Sequence, residues 1–275
     1  IGQSKDGTII YNEPKYGGSA YTSTIALDAG VNDFYAEDIT MDNRFDYLKA
    51  KDEKLNTQAI AFRDRGDRTV LKNVALRSYE YTYNSNNPSA SSRGYFENCD
   101  ITGAVDMVIG DGNVWFEGCN LILRDRAANN IAAPTTQAMQ EWGYVFNNCT
   151  IKPEADQLTL LKNKNWTLGR PGNNSTACTF LNTTMLIEPR PYGWTKKKTD
   201  LMLRFHEHNS MNAAGNKLSL NARTIALCVP AAGSDECVLS DVEAASYNVR
   251  NVLGGDDGFE PNDLCCQIDA ASAAN

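Results

Sequence analysis

Three short segments of the 275-residue chain carry residue types able to do chemistry together. Gly103-Ala104-Val105-Asp106-Met107-Val108-Ile109-Gly110 sets one carboxylate inside an otherwise apolar run. That placement is costly unless the charge is paired or hydrogen-bonded. Trp166-Thr167-Leu168-Gly169-Arg170-Pro171-Gly172 supplies an arginine between Gly and Pro. Leu55-Asn56-Thr57-Gln58-Ala59-Ile60-Ala61-Phe62 puts Gln58 at the head of an apolar run. A carboxylate can act as a nucleophile, a guanidinium can grip it through two hydrogen bonds, and an amide can meet a developing oxyanion. Read alone, Asp106 is equally well a turn-facing residue. The company of Arg170 and Gln58 matters only if a fold brings such distant residues onto one face.

A repeat provides that fold. Tyr95-Phe96-Glu97-Asn98-Cys99-Asp100-Ile101, Val114-Trp115-Phe116-Glu117-Gly118-Cys119-Asn120-Leu121 and Tyr144-Val145-Phe146-Asn147-Asn148-Cys149-Thr150-Ile151 share one pattern of aromatic, two polar residues, Cys, polar and aliphatic. Looser copies centre on Ile39, Val74 and Thr183, giving successive intervals of 35, 25, 20, 30 and 34 residues. Short strands recurring at such spacing, each beside a polar turn, are the mark of a solenoid. The expectation is an all-β chain, a right-handed parallel β-helix, in which Cys99, Cys119 and Cys149 stack inside as small buried hydrophobes. Cys178 is expected in the same wall, and a link between Cys228 and Cys237 is conceivable. Residues 1–238 read as the β-helix and 239–275 as a short helical tail packing on it. In the tail Ser240 and Glu243 form a capping box for a helix over Leu239–Tyr247, with Val249–Leu253 as the end of that element. Asn84–Ser92 reads as a polar loop.

Composition narrows the function. Lys and Arg number 26 against 34 Asp and Glu, a net charge of −8, which argues against nucleic acid as a partner. No apolar run approaches the ~20 residues of a membrane span. The two histidines, His206 and His208, argue against a His-rich metal centre or a Ser-His-Asp triad. Both are expected on an exposed strand of alternating polar residues. The acidic turn Gly254-Gly255-Asp256-Asp257-Gly258 does not have the spacing of an EF-hand.

At this point the chain resembles the pectin methylesterase family of carbohydrate esterases. Gly103–Gly110 matches the family's G-x-V-D-F-I-F-G, with Asp106 on its nucleophile. Leu168-Gly169-Arg170-Pro171 matches L-G-R-P, whose Arg orients that Asp. Gln58–Phe62 matches Q-A-x-A-L, whose Gln helps form the oxyanion hole. Gly193-Trp194 resembles a later G-W, and Leu239–Leu253 a tail common in bacterial members. The start, Ile1-Gly2-Gln3, resembles the middle of the family's N-terminal half, so the first coil or two are expected to be absent from this chain.

The resemblance implies hydrolysis of galacturonate methyl esters in pectin (homogalacturonan), by a nucleophilic Asp and without cofactor or metal. It also implies a monomer, secreted or held in the periplasm or at the cell surface. Trp194, Tyr79 and Met107 are implied to bind substrate. The departures lie in the family's Y-Q-D-T, which here reads Tyr79-Glu80-Tyr81-Thr82. Glu80 replaces a second oxyanion Gln, and Tyr81 replaces the acid/base Asp. Gly172 stands where the family has a cleft Trp, and Lys197 at a second Trp. A phenol with a reference pKa of about 10 can donate a proton but is a poor base at neutral pH, so Glu80 is expected to take the acid/base role. Strict strand alternation would send Glu80 and Tyr81 to opposite sides, and a turn or bulge there is needed to relax it. The alternative is a pectin-binding or structural β-helix that is catalytically silent. Lys196, Lys197 and Lys198 form a basic stretch that either meets sugar carboxylates or is a solvated loop. Asn148 and Asn182, which open N-x-S/T patterns, are expected first as ladder residues of the turns.

Overall fold

The computed structural model describes residues 1–18, 22–86, 92–125, 129–155, 166–172, 176–195, 203–223 and 237–273. Each coil contributes one short strand to each of three sheets, of eight, six and seven strands, and successive coils pair in parallel. The result is a right-handed parallel β-helix with a helical tail. The eight-stranded sheet runs from Ile9–Asn12 to Met211–Asn212, the six-stranded from Ile25–Leu27 to Trp166–Gly169, and the seven-stranded from Tyr35–Glu37 to Arg204–His208.

The repeated polar-Cys motif is a corner between the seven- and eight-stranded sheets. Asp38, Asn73, Asn98, Gly118, Asn148, Asn182 and Asn209 occupy it in turn, all with φ between 48° and 60°. Asn, Asp and Gly tolerate this left-handed conformation because a short polar side chain, or none, relieves the clash. Asn148 and Asn182 are ladder residues as expected: Asn148 Nδ2 donates to Glu117 Oε1 at 2.7 Å, and Asn182 Nδ2 to Asn147 Oδ1 at 3.1 Å. The residue after each corner turns inward, so Ile39, Val74, Cys99, Cys119, Cys149, Thr183 and Ser210 form one buried column. The three thiols are fully buried, each pointing at main-chain carbonyls such as Leu71 O and Phe96 O. Cys178 is also buried, but in a different column, since it pairs with Tyr144 rather than following a corner. Cys228 lies outside the described residues.

Beside the thiols, Phe96, Phe116, Phe146 and Phe180 stand in register, and the last three stack with centroids 4.5 Å apart. Each buried phenylalanine contributes about 1.5–3 kcal/mol by leaving water. The column ends on Glu207, which pairs with Phe180 and is fully buried. Arg223 neutralises it through Nε at 2.6 Å, and Ser210 Oγ donates a further bond at 2.7 Å.

The tail differs in detail from its sequence reading. Helix Asp241–Ala245 carries the Ser240–Glu243 capping box, but Val249–Leu253 is a separate helix capped by Asn248, and Pro261–Ala273 forms another. Leu239, Val252, Leu253, Phe259 and Cys265 bury the outer face of the seven-stranded sheet, over Val70, Tyr95, Trp115 and Val145. The strand carrying the two histidines is therefore covered, not exposed. Its alternation holds, with Phe205 and Glu207 inside, but His206 faces Tyr247 and His208 bonds Leu239 O beneath the tail. The acidic turn is bound by arginines: Asp257 accepts from Arg93 and Arg68. Asn84 and Ser85, read as the start of a loop, end the buried strand Tyr83–Ser85.

Candidate active site

The chemistry-bearing residues meet along the six-stranded sheet, Asp106, Glu80, Tyr81 and Gln58 at or before the heads of its strands and Arg170 just past the end of another. Asp106 is the second residue of Val105–Gly110 and has φ +47°. Its strand slips register against Asn129–Pro134 between Val105 and Val108. This bulge breaks alternation and re-aims one side chain, as bulges beside functional sites do. The buried carboxylate faces Arg170 while Met107 turns into the core. Gly103 makes the approach possible, since a Cβ there would lie 2.5 Å from Thr82 Oγ1 and 2.8 Å from Met107 Cγ.

Arg170 follows the strand Trp166–Gly169 and comes back across the sheet to Asp106. Its Nε donates to Asp106 Oδ1 at 2.8 Å and its Nη2 to Oδ2, a two-pronged ion pair that leaves the carboxylate 5% exposed. Such a fork fixes the plane of the carboxylate as well as its position. Burial lowers the Arg170 pKa, but the bond and charge of Asp106, aided by Tyr81 and Glu80, hold it above the ordinary guanidinium value.

Glu80 and Tyr81 precede the strand Tyr83–Ser85. Glu80 bridges to Val105 beside Asp106. Tyr81 has φ +64°, so it is a turn of the kind that relaxes the alternation objection. Both residues lie close enough to Arg170 to act on it electrostatically, and Tyr81 feels the charges of Asp106 and Glu80. Thr57 Oγ1 donates to Glu80 Oε2 at 2.6 Å, and Gln58 Nε2 donates to Tyr81 Oη at 3.2 Å. Burial raises the Tyr81 pKa, and the Asp106 and Glu80 charges push it further up against Arg170 and the Gln58 bond. Tyr81 is thus a proton donor at neutral pH and still less a base than a free phenol. Thr57 escaped notice in the sequence, although one 23-residue offset links Thr57 to Glu80 and Gln58 to Tyr81.

The three residues implied to bind substrate stand elsewhere. Trp194 is fully buried, stacked on Phe205 at 4.7 Å. Met107 is fully buried in the same core. Tyr79 is sandwiched, with Tyr47 stacked on one face at 4.7 Å and the Arg124 guanidinium 4.8 Å from the ring centroid. None offers an open ring face or thioether to a sugar, because the coil interior and its flank have taken them for packing. Gly172 packs against the neighbouring coil, where a Cβ would lie 2.5 Å from Pro134 O, so the site has no aromatic wall at that position. Lys196–Lys198 lie outside the described residues.

The match to known proteins decides the family. The family described as Pectinesterase covers residues 1–256. The chain belongs to the pectinesterase family. Among its relatives, Probable pectinesterase/pectinesterase inhibitor 21 of Arabidopsis thaliana is 27% identical over 264 residues, 94% of this chain and 36% of that protein. Pectinesterase A of Dickeya chrysanthemi is 29% identical over 92% of this chain and 76% of its own length. The chain therefore spans about a third of the plant relative. In structure it is similar to a pectin methylesterase from Erwinia chrysanthemi, with a TM-score of 0.71, 28% identity, and 94% and 82% of the two chains covered. It also has the fold of the carrot pectin methylesterase, with a TM-score of 0.75, 21% identity, and 94% and 77% covered. A further pectin methylesterase similar to this chain, with a TM-score of 0.71, 27% identity and the same 94% and 82% coverage, has been solved as a mutant in complex with a hexasaccharide. Within this pectinesterase fold, the pair Asp106–Arg170 stands beside Glu80 and Tyr81.

Proposed function

We propose that the chain hydrolyses methyl esters of galacturonate units in pectin, with Asp106 as the nucleophile. The observation that carries this reading is the two-pronged Arg170–Asp106 pair on a strand bulge in a pectinesterase fold. Asp106 Oδ bonds to the ester carbonyl carbon, and the carbonyl π pair moves onto its oxygen. Collapse breaks the C–O bond to the methoxy group, whose oxygen takes a proton from Glu80 and leaves as methanol. Glu80, now a carboxylate steadied by Thr57, takes a proton from water as that water attacks the acyl carbon. Asp106 then departs as a carboxylate into the grip of Arg170. The substrate is an extracellular polymer, so the protein acts in the periplasm, at the cell surface or beyond it, as a monomer and without a cofactor.

Release of methanol from methyl-esterified pectin by the purified chain tests this. Wild type should release it and Asp106→Asn should lose at least about 10³-fold in rate while a cooperative melt shows that it is still folded. Equal rates in both would remove Asp106 from the mechanism. The exchange of the family's acid Asp for Tyr81 favours a second reading, a pectin-binding β-helix without turnover. Oligogalacturonate binding with no methanol at all would select it.

A further inference from the structure

Three features of the site meet at one phenol. The φ of +64° at Tyr81 is a left-handed backbone conformation that strains a bulky L-residue. That turn sets Tyr81 against the strand of the nucleophile, its N–H donating to Val105 O at 3.3 Å, and the charges of Asp106 and Arg170 act on the phenol. Gln58 donates its amide proton to Tyr81 Oη, so the phenol is the acceptor in that bond. A phenol has one proton of its own, and here it is not committed to Gln58. The amide expected to meet the substrate oxygen thus spends one N–H on Tyr81, and the proton of the phenol is left for another acceptor.

We propose that Tyr81 is the oxyanion donor of this site and that Gln58 is a positioning residue acting through it. The role rests on ester hydrolysis at Asp106. As Asp106 Oδ bonds to the carbonyl carbon, the displaced π pair settles on the carbonyl oxygen, and the Tyr81 O–H bond to that oxygen shortens while the proton stays on Tyr81. When the pair returns, the methoxy group leaves with the proton of Glu80. The same O–H serves the second tetrahedral intermediate, formed by water. Donation from Gln58 fixes the direction of the phenol and leaves its proton on the substrate side. Burial and the two neighbouring carboxylates keep Tyr81 protonated at working pH, which a donor requires and a base does not tolerate.

The test is a double-mutant cycle on methanol release from methyl-esterified pectin. Tyr81→Phe keeps the ring and its packing, and should lower kcat about 10²–10³-fold with KM little changed and the shape of the pH profile retained. Gln58→Leu should lower kcat less, and in the Tyr81→Phe background it should cost no more than about twofold. Thermal melts of the variants confirm that each is folded. A wild-type kcat in Tyr81→Phe overturns the role, as does an equal cost of Gln58→Leu in both backgrounds. Loss of a limb of the pH profile in Tyr81→Phe would make Tyr81 a base and overturn it too. Wild type no faster than Asp106→Asn overturns the esterase reading itself, a result distinct from the others.

Discussion

At the scale of single residues, the roles proposed for Glu80 and Tyr81 rest on two different side-chain chemistries, a carboxyl bonded by Thr57 and a phenol bonded by Gln58. A carboxylate with a hydroxyl donating to it can cycle between proton donor and acceptor, and a phenol pushed up in pKa can only donate. The two roles leave different marks on pH. Glu80→Gln should cost about 10²–10⁴-fold in kcat and flatten the limb of the pH–rate profile that reports the base. Thr57→Val should show a smaller loss and shift that limb without abolishing it. A full-height, unshifted profile in Glu80→Gln would take the base role away from Glu80.

At the scale of the coil, polar groups inside the solenoid set its tolerance of pH and of reagents. Asp64 is buried, accepting from Gly66 N at 2.9 Å and Tyr83 Oη at 3.2 Å, and burial pushes its pKa up to about 6. A carboxyl raised in the folded state binds more protons folded than unfolded between its two pKa values, so stability falls as pH rises from about 4 to 6. The rise is worth about 3 kcal/mol. Asp64→Asn should remove that loss, gaining in melting temperature relative to wild type between pH 4 and pH 7. Parallel melting-temperature curves would show that Asp64 titrates as it does unfolded. The thiol column makes a chemical prediction. Burial pushes the Cys99, Cys119 and Cys178 thiols well up, and among the described cysteines Cys266 is the exposed one. In mass-spectrometric mapping, Cys266 should alkylate in the native protein, and Cys99, Cys119, Cys149 and Cys178 only after denaturation. Ready native labelling of the three corner thiols would break the column.

At the scale of the whole molecule, the tail is held by apolar packing and an ionic clamp. Arg93 reaches Asp67, Asp257 and the Leu253 carbonyl, while Arg68 joins Asp33 to Asp257. His206 lies under the tail against Tyr247, and burial pulls its pKa down to about 4. A histidine held neutral when folded takes up its proton on opening, so the contribution is complete above pH 6.5 and is lost as pH falls towards 4. The sign is opposite to that of Asp64. Hydrogen exchange in Val249–Leu253 should quicken between pH 6.5 and 4, after correction for intrinsic rates, and His206→Leu should blunt the change. An equal pH response in that variant would place the acid-sensitive contact elsewhere.

Repetition made the architecture legible in the sequence, because a corner that needs a left-handed residue followed by a small inward one must recur at every coil. Asn98-Cys99, Gly118-Cys119 and Asn148-Cys149 state that rule in two letters each. Asp106, Arg170 and Gln58 were legible as parts of one site because their local segments are distinctive. Which residues face the cleft was not legible. Alternation, the only guide a lone strand offers, fails where φ turns positive at Tyr81 and Asp106 and where the register slips after Val105. Trp194, Met107 and Tyr79 look like ligand-binding side chains in a string of letters, yet the coils stacked above and below claim them for packing. The clamp from Arg93 to Asp257 and the Thr57–Glu80 bond likewise join positions 164 and 23 residues apart. Such pairings depend on coil register and tail docking, which are properties of the packed solenoid and not of any one segment.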